Sequence, residues 1–257
     1  MNEPHLENKV LFSVRGIKKK FPNGYQGAAG IDLDIYDGES VLIAGANGSG
    51  KTLLMRMLSG LTEASEGEIL FKGKPLSQWG DLLRGSIGLV FQDADAQLIG
   101  ETVEEDIRFG PENLKYEKAE IERRVNNVMD MLDLRGKKDF SPRRLSGGEK
   151  RRLAIAGVLA MGCETLIMDE PFANLDWPGV IQVLKIIQDL KKQSHTLIIL
   201  THELEKVLAL SDRLVILAQG KIRDSGKPDE VLDRLEPGWG VRDPRHSYKS
   251  ASDCSWL

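Results

Sequence analysis

Three short runs in this chain carry residues whose types and spacing suit phosphate chemistry. Gly45-Ala46-Asn47-Gly48-Ser49-Gly50-Lys51-Thr52 fits the spacing GxxxxGK[ST]. Its glycines let the backbone curl so that successive N–H groups point at phosphate oxygens. Lys51 is placed to reach the β- and γ-phosphates of a nucleotide, and the Thr52 hydroxyl suits Mg²⁺. Leu166-Ile167-Met168-Asp169-Glu170 is an apolar run that ends in two carboxylates. Ionised carboxylates after a buried strand are costly without a partner. Mg²⁺ is a natural partner for Asp169, which leaves Glu170 to orient and polarise an attacking water.

The third run, Leu145-Ser146-Gly147-Gly148-Glu149, is a second glycine-rich turn at a helix start. Ser146 and Glu149 also have capping-box spacing, so an ordinary capped helix would account for both ends of the run. The pair Gly147-Gly148 argues for more, because a cap needs no glycines whereas close approach to phosphate does. These N–H groups need not face the first phosphate loop within one chain. The run therefore points to a working unit of two chains with ATP between them. Gln92 and His202 each follow a strand-like run. A lone histidine is weak on its own, but both positions match the strand ends that carry the phosphate loop and Asp169.

The elements that must hold these groups follow from hydrophobic period. Val10 to Val14 and Ile31 to Ile35 alternate as half-exposed antiparallel strands, with a turn at Phe21-Pro22-Asn23-Gly24. Val41 to Ala44 is a buried strand feeding the phosphate loop, and Lys51 to Leu58 a helix stopped by Gly60. Glu68 to Phe71 and Ile87 to Phe91 are further strands. Thr102 and Glu105 have capping-box spacing, and Ile121, Val125, Val128 and Leu132 recur at helical spacing. A mostly helical insert is thus predicted from about Gln92 to about Gly162. Thr165 to Met168 and Thr196 to Leu200 are buried strands around a helix striped by Val180, Val183, Leu184 and Ile187. Leu214 to Leu217 and Lys221 to Arg223 form a hairpin split by Gln219-Gly220, and Asp229 to Leu235 a last helix. The tail from Pro237 is expected to pack loosely, with Trp239 and Trp256 as possible anchors.

The chain has 257 residues and a formal net charge of −4, which gives nucleic-acid binding no electrostatic support. Lys18-Lys19-Lys20 reads as solvated surface. Cys163 and Cys254 form no CxxC, and Cys163 sits among apolar residues. The start MNEPHLENK does not resemble a signal peptide, and no apolar stretch reaches the roughly 20 residues that span a bilayer. Direct membrane insertion is not expected.

In this order the motifs resemble the ATPase domain of ABC transporters, over nearly the whole chain up to the tail. The resemblance implies an α/β fold with a mostly parallel core sheet, an N-terminal antiparallel β subdomain and an inserted helical subdomain. It implies an ATPase domain at 1–236, with the helical subdomain at about 92–162 and a tail at 237–257. It further implies a head-to-tail dimer, homo- or heteromeric. ATP on Gly45, Ala46, Asn47, Gly48, Ser49, Gly50, Lys51 and Thr52 of one chain would meet Ser146, Gly147 and Gly148 of the other. By the same resemblance Glu170 is the general base, His202 contacts the γ-phosphate, and Lys51 and Gln92 assist. Thr52, Gln92 and Asp169 hold Mg²⁺, Asp176 in the loop Asn174-Leu175-Asp176 communicates across the dimer, and Phe21 stacks on adenine, with Tyr25 as the alternative.

A narrower resemblance, to energy-coupling factor (ECF) transporter ATPases, lies in Phe91 to Leu98, Thr102 to Ile107, Phe109 to Leu114 and Glu149 to Ala160. It implies partners: a second ATPase, a transmembrane coupling protein and a membrane substrate-binding protein, with uptake of a vitamin or a transition-metal ion. The chain would sit peripherally on the cytoplasmic face of the cell membrane. It also makes Asp93, Asp95 and Glu101 candidate partners for arginines of coupling helices. The rivals are the ATPase of another ABC transporter class, and a soluble ABC ATPase acting in cofactor assembly or as a clamp. Three positions depart from the family pattern: Phe172 for a small polar residue, Asn174 for a glycine, and Trp177 ahead of a displaced Pro178.

Overall fold

The computed structural model describes residues 9–22 and 24–245. Alternation near the start produces a long antiparallel pair, β1 (Val10–Lys20) and β2 (Gln26–Tyr36). The continuous apolar run that follows is β3 (Ser40–Ala44), buried at every position, and the phosphate loop leads from it into α1 (Lys51–Leu58). Next come β4 (Glu66–Phe71), the short β5 (Lys74–Pro75), α2 (Leu82–Ser86) and β6 (Ile87–Val90). The helical stretch comprises α3 (Val103–Asn113), α4 (Lys118–Met131) and α5 (Gly147–Ala160). The chain then alternates through β7 (Thr165–Asp169), α6 (Trp177–Lys192), β8 (Thr196–Thr201) and α7 (Leu204–Val207). It ends its described part with β9 (Arg213–Ala218), β10 (Lys221–Gly226) and α8 (Pro228–Leu232).

Two sheets result. The antiparallel one runs β2-β1-β4-β5. The other runs β10-β9-β3-β8-β7-β6, parallel except for β10. Parallel strands covered on both faces read as unbroken apolar runs, which is why the sequence of β3, β7 and β8 shows no alternation. Their side chains nevertheless alternate between two cores. Leu42, Met168, Ile199 and Ile216 face one core, shared with α3, α4, α5 and α6. Ile43, Ile167, Leu200 and Val215 face the other, shared with α1 and the antiparallel sheet.

Both expected capping boxes form. Thr102 and Glu105 exchange side-chain and backbone bonds at the start of α3, and Ser146 and Glu149 do so at the start of α5. Cys163 is a buried free thiol, and burial pushes it up to about 12. No helix among the described residues is long and apolar enough to cross a membrane.

The first residues of the tail from Pro237 are seated, with Trp239 as the anchor that the sequence offered. Trp239 and Val241 pack against the core shared with the helices. Arg245 pairs with Asp233 and Asp243, both at 2.8 Å. The sequence cue was polarity and Pro/Gly content; two apolar side chains and one arginine suffice to seat the segment. Asn23, Cys254 and Trp256 lie outside the described residues.

Candidate active site

The phosphate loop is shaped by close backbone contacts. Gly50, at φ 107°, precedes α1, and a Cβ there would lie 2.7 Å from the Gly27 carbonyl oxygen. A Cβ on Gly45 would lie 2.2 Å from the Leu217 carbonyl oxygen. The turn between β9 and β10 helps to set the loop. Gln219 and Gly220 both have positive φ, the geometry of a tight hairpin turn. The Gly220 amide donates to the Ser49 carbonyl, and its own carbonyl accepts from Ala29, both at 2.9 Å. The sequence revealed the hairpin but not this contact, which joins residues about 170 positions apart.

Lys51 is buried and folded back over its own loop. Its Nζ donates to the carbonyls of Gly45 at 2.7 Å and Ala46 at 3.3 Å, and lies 3.7 Å from Oε1 of Glu170. Burial pulls its pKa below the ordinary lysine value, while Glu170 and Asp169 oppose that shift. Phosphate oxygens would replace neutral carbonyl acceptors with charged ones, and charge-assisted bonds are the stronger kind.

Thr52 and Asp169 come together as the sequence implied. The Thr52 hydroxyl donates to Oδ2 of Asp169 at 2.8 Å. Asp169 is buried, and its Oδ1 has no partner. Burial pushes the carboxyl above the usual carboxylate range, and the Thr52 bond offsets part of that. An orphaned buried oxygen beside a hydroxyl, in a cleft with a phosphate loop, fits Mg²⁺. This ion is held by one or two carboxylates plus phosphates rather than by an all-protein cage. No cluster of three or more acidic, histidine or cysteine ligands occurs among the described residues, as that mode allows.

Glu170 follows β7 at φ 46°, the left-handed region that costs a non-glycine residue about 1–2 kcal/mol. Its amide donates to the Leu200 carbonyl at 2.8 Å, which holds the turn. The side chain is 5% exposed. Its Oε2 accepts from the Thr201 hydroxyl at 2.7 Å, and Oε1 lies 2.8 Å from Nδ1 of His202. The His202 side chain is itself half exposed. Thr201 went unnoticed in the sequence, where it is simply the last residue of an apolar run.

Phe21, Tyr25, the loop residues Ala46 to Gly48 and Gly50 to Thr52, Gln92, Asp169 and Glu170 border one cleft of about 210 Å³. Phe21 and Tyr25 both line it, with rings stacked 6.0 Å apart, so either aromatic can meet a planar base. None of residues 145–149 borders this cleft. Gly147 lines a separate one of about 310 Å³ with Gln92, Asp93, Asp95, Lys150 and Arg151. Asp176 lies outside the phosphate cleft and caps α6, its Oδ1 accepting from the Gly179 amide at 2.9 Å. Asn174 has φ 60°, so the departure from glycine keeps the left-handed backbone that asparagine tolerates. Phe172 is buried in the core, whereas Trp177 is 76% exposed.

The acids after Gln92 are largely occupied within the chain. Asp95 pairs with Lys150 at 2.5 Å, and Asp93 accepts from the amides of Asp95 and Ala96. Neither they nor Glu101 line the neighbouring apolar groove of about 350 Å³. That groove is formed by Leu61, Leu89, Ile99, Phe109, Val158, Met161 and their neighbours, and Asp106 is its only carboxylate. Oδ1 of Asp106 is taken by the amides of Ile99 and Gly100.

Comparison with known proteins agrees with this geometry. Residues 28–173 match the family model described as ABC transporter. The chain is 42% identical over 234 residues, 91% of its own length and 100% of the relative's, to a putative ABC transporter ATP-binding protein of Halobacterium salinarum. It is 39% identical over 229 residues to the energy-coupling factor transporter ATP-binding protein EcfA of Methanocaldococcus jannaschii, covering 88% of this chain and 82% of that one. The structure of CbiO1 from Clostridium perfringens, part of the ABC transporter complex CbiONQ, superposes with a TM-score of 0.81 at 36% identity, covering 88% and 91%. The chain therefore belongs to the ABC transporter ATPases, and within them to the energy-coupling factor type.

Proposed function

We propose that this chain hydrolyses ATP between two ATPase subunits to drive an importer for a vitamin or a transition-metal ion, from the cytoplasmic face of the membrane. The observation that carries the two-chain reading is the separation of the two phosphate-binding helix starts. The cleft at α1 contains the phosphate loop, Asp169 and Glu170 but nothing from Ser146 to Gly148. A second chain placed head to tail would bring its Ser146 helix, with a positive dipole end, to the γ-phosphate.

Each side chain then has a defined task. Phe21 or Tyr25 stacks on the adenine, and the amides of Gly45 to Thr52 hold the phosphates. Lys51 leaves the Gly45 and Ala46 carbonyls for the phosphate oxygens. Thr52, Asp169 and Gln92 would hold Mg²⁺, which when bound neutralises charge developing on the β- and γ-phosphates. Glu170 accepts a proton from water, and His202 meets the γ-phosphate while keeping Glu170 oriented. ATP thus closes the dimer and hydrolysis opens it.

The membrane coupling protein docks in the apolar groove around Ile99 and Phe109, both more than half exposed. Phe109→Asp tests this, since a charge on an exposed residue leaves the fold intact. Affinity capture of the chain from its native membranes is expected to bring down integral membrane proteins. The variant is expected to lose them while ATP affinity stays within about twofold. Equal recovery with the variant would overturn the docking site, and recovery of no membrane protein by the wild-type chain would overturn the transport reading.

A further inference from the structure

We infer that Arg151 is a positioning residue for Gln92, tying the loop that carries Gln92 to the helix that opens at Ser146. The inference rests on the reading of Gln92 as a metal- and phosphate-facing group. Arg151 lies early in α5 and is 2% exposed. One arm of its guanidinium donates to the carbonyl of Phe91, and the other to the carbonyl of Gln92 at 2.7 Å. Two adjacent carbonyls held by one planar fork are fixed in direction as well as position. An ammonium, a point charge on a flexible stem, does not reproduce that.

The rest of the loop is held in the same sense. Lys150, the preceding residue of α5, pairs with Asp95. Gln97 closes the far end, with Oε1 accepting from the Phe91 amide at 3.0 Å and Nε2 donating to the Leu89 carbonyl at 2.9 Å. The Gln92 side chain is left exposed at the border of both clefts.

Stability does not explain the arginine. A buried cation carries a desolvation cost. Burial holds the guanidinium below the ordinary arginine value although Asp93 and Asp169 favour its charge, and its Nε is buried without a partner. An apolar side chain of similar length would avoid that cost. What Arg151 supplies is geometry: Gln92, at one chain's phosphates, and Ser146, facing the other chain's, ride on one rigid piece.

The test is a double-variant cycle in the full chain with Arg151→Met, Gln92→Ala and the pair. Arg151→Met is expected to slow ATP turnover by about ten- to a hundredfold, the usual consequence of a displacement on the order of 1 Å, while ATP affinity stays within about twofold. In the Gln92→Ala background it is expected to add nothing, because the group it positions is gone. Amide hydrogen exchange is expected to rise over residues 91–96 and not in β3 or β8. Wild-type turnover in Arg151→Met, or the same fold loss in both backgrounds, would overturn the tether. Should Arg151→Met fail to fold, Arg151→Lys decides: full activity with an ammonium in that place overturns the inference, and a partial rate supports it. A wild-type chain that hydrolyses no ATP, alone or with the subunits it captures from its native membranes, would overturn the functional reading and the tether with it.

Discussion

Oε1 of Glu170 lies 2.8 Å from Nδ1 of His202, and the same oxygen is 3.7 Å from Nζ of Lys51. One buried carboxylate therefore lies between Lys51 and His202, the two groups proposed to meet the γ-phosphate. Glu170→Gln keeps the shape and can still bond Thr201 and His202, but it cannot take up a proton. ATP affinity is expected to be unchanged and turnover to fall by about 10²–10⁴-fold, with a closed dimer accumulating in ATP. Size-exclusion chromatography with and without ATP reads the dimer, and phosphate release reads the rate. Normal turnover in this variant would remove Glu170 from the mechanism.

Asp169 makes stability depend on pH in a defined direction. Burial raises its pKa in the folded chain, so its contribution is intact below the ordinary carboxylate value of about 3.9. That contribution is lost as pH rises through the raised value. Asp169→Asn is expected to gain stability over the wild type as pH rises from about 4 to 7. Mg²⁺ with ATP is expected to stabilise the wild type and leave the variant nearly unmoved. Thermal unfolding of both proteins across this range checks the sign, and parallel curves would show that Asp169 does not carry it.

Ser146 caps α5 and, in the proposed dimer, has a second and separable duty at the partner's phosphate. Its hydroxyl accepts from the Glu149 amide, and Glu149 returns a 2.8 Å bond to the Ser146 amide. Ser146→Ala is expected to cost about 1 kcal/mol in chemical denaturation through the lost cap. Ser146→Asp restores the cap but turns a negative charge toward the partner's phosphate. It is expected to be as stable as the wild type, to bind ATP at its own loop, and to form no ATP-dependent dimer. A closed dimer of Ser146→Asp would mean that the Ser146 helix does not meet phosphate.

The positive φ of Glu170 gives a further test, independent of catalysis. Alanine is strained in that backbone and glycine is not. Glu170→Gly is therefore expected to be more stable than Glu170→Ala by about 1 kcal/mol, against the usual order in regular structure. The reverse order in urea unfolding would mean that the turn relaxes once the side chain is removed.

Residues adjacent in the chain made much of this site legible before any coordinates. The loop from Gly45 to Thr52, the strand ending in Asp169-Glu170 and the cap at Ser146 each complete their chemistry within eight residues. What escaped detection joins distant segments: Gly220 on Ser49, Thr201 on Glu170, and Arg151 on Gln92. Arg151 stood in the ECF-like run Glu149 to Ala160, but nothing local distinguishes a buried guanidinium from a solvated one. The seating of Val241 escaped for a related reason, since the core surface that receives it is assembled from the whole chain. The pairing of Asp95 with Lys150 was equally hidden, because Lys150 lies 55 residues away.

The parallel sheet separates two interiors that share no side chain. α1, with the phosphate loop at its head, is rooted in one, and α5, with Ser146 at its head, in the other. At the centre of the sheet the two helices lie a backbone apart, whereas at its β6 edge side chains of both interiors line one groove. The rim, where the strands end and Gln92, Asp169 and Glu170 stand, is a second place where the two sides come together. Gln92, Asp169 and Glu170 belong to neither packed interior, so a ligand at the rim would meet both sides of the partition without entering either.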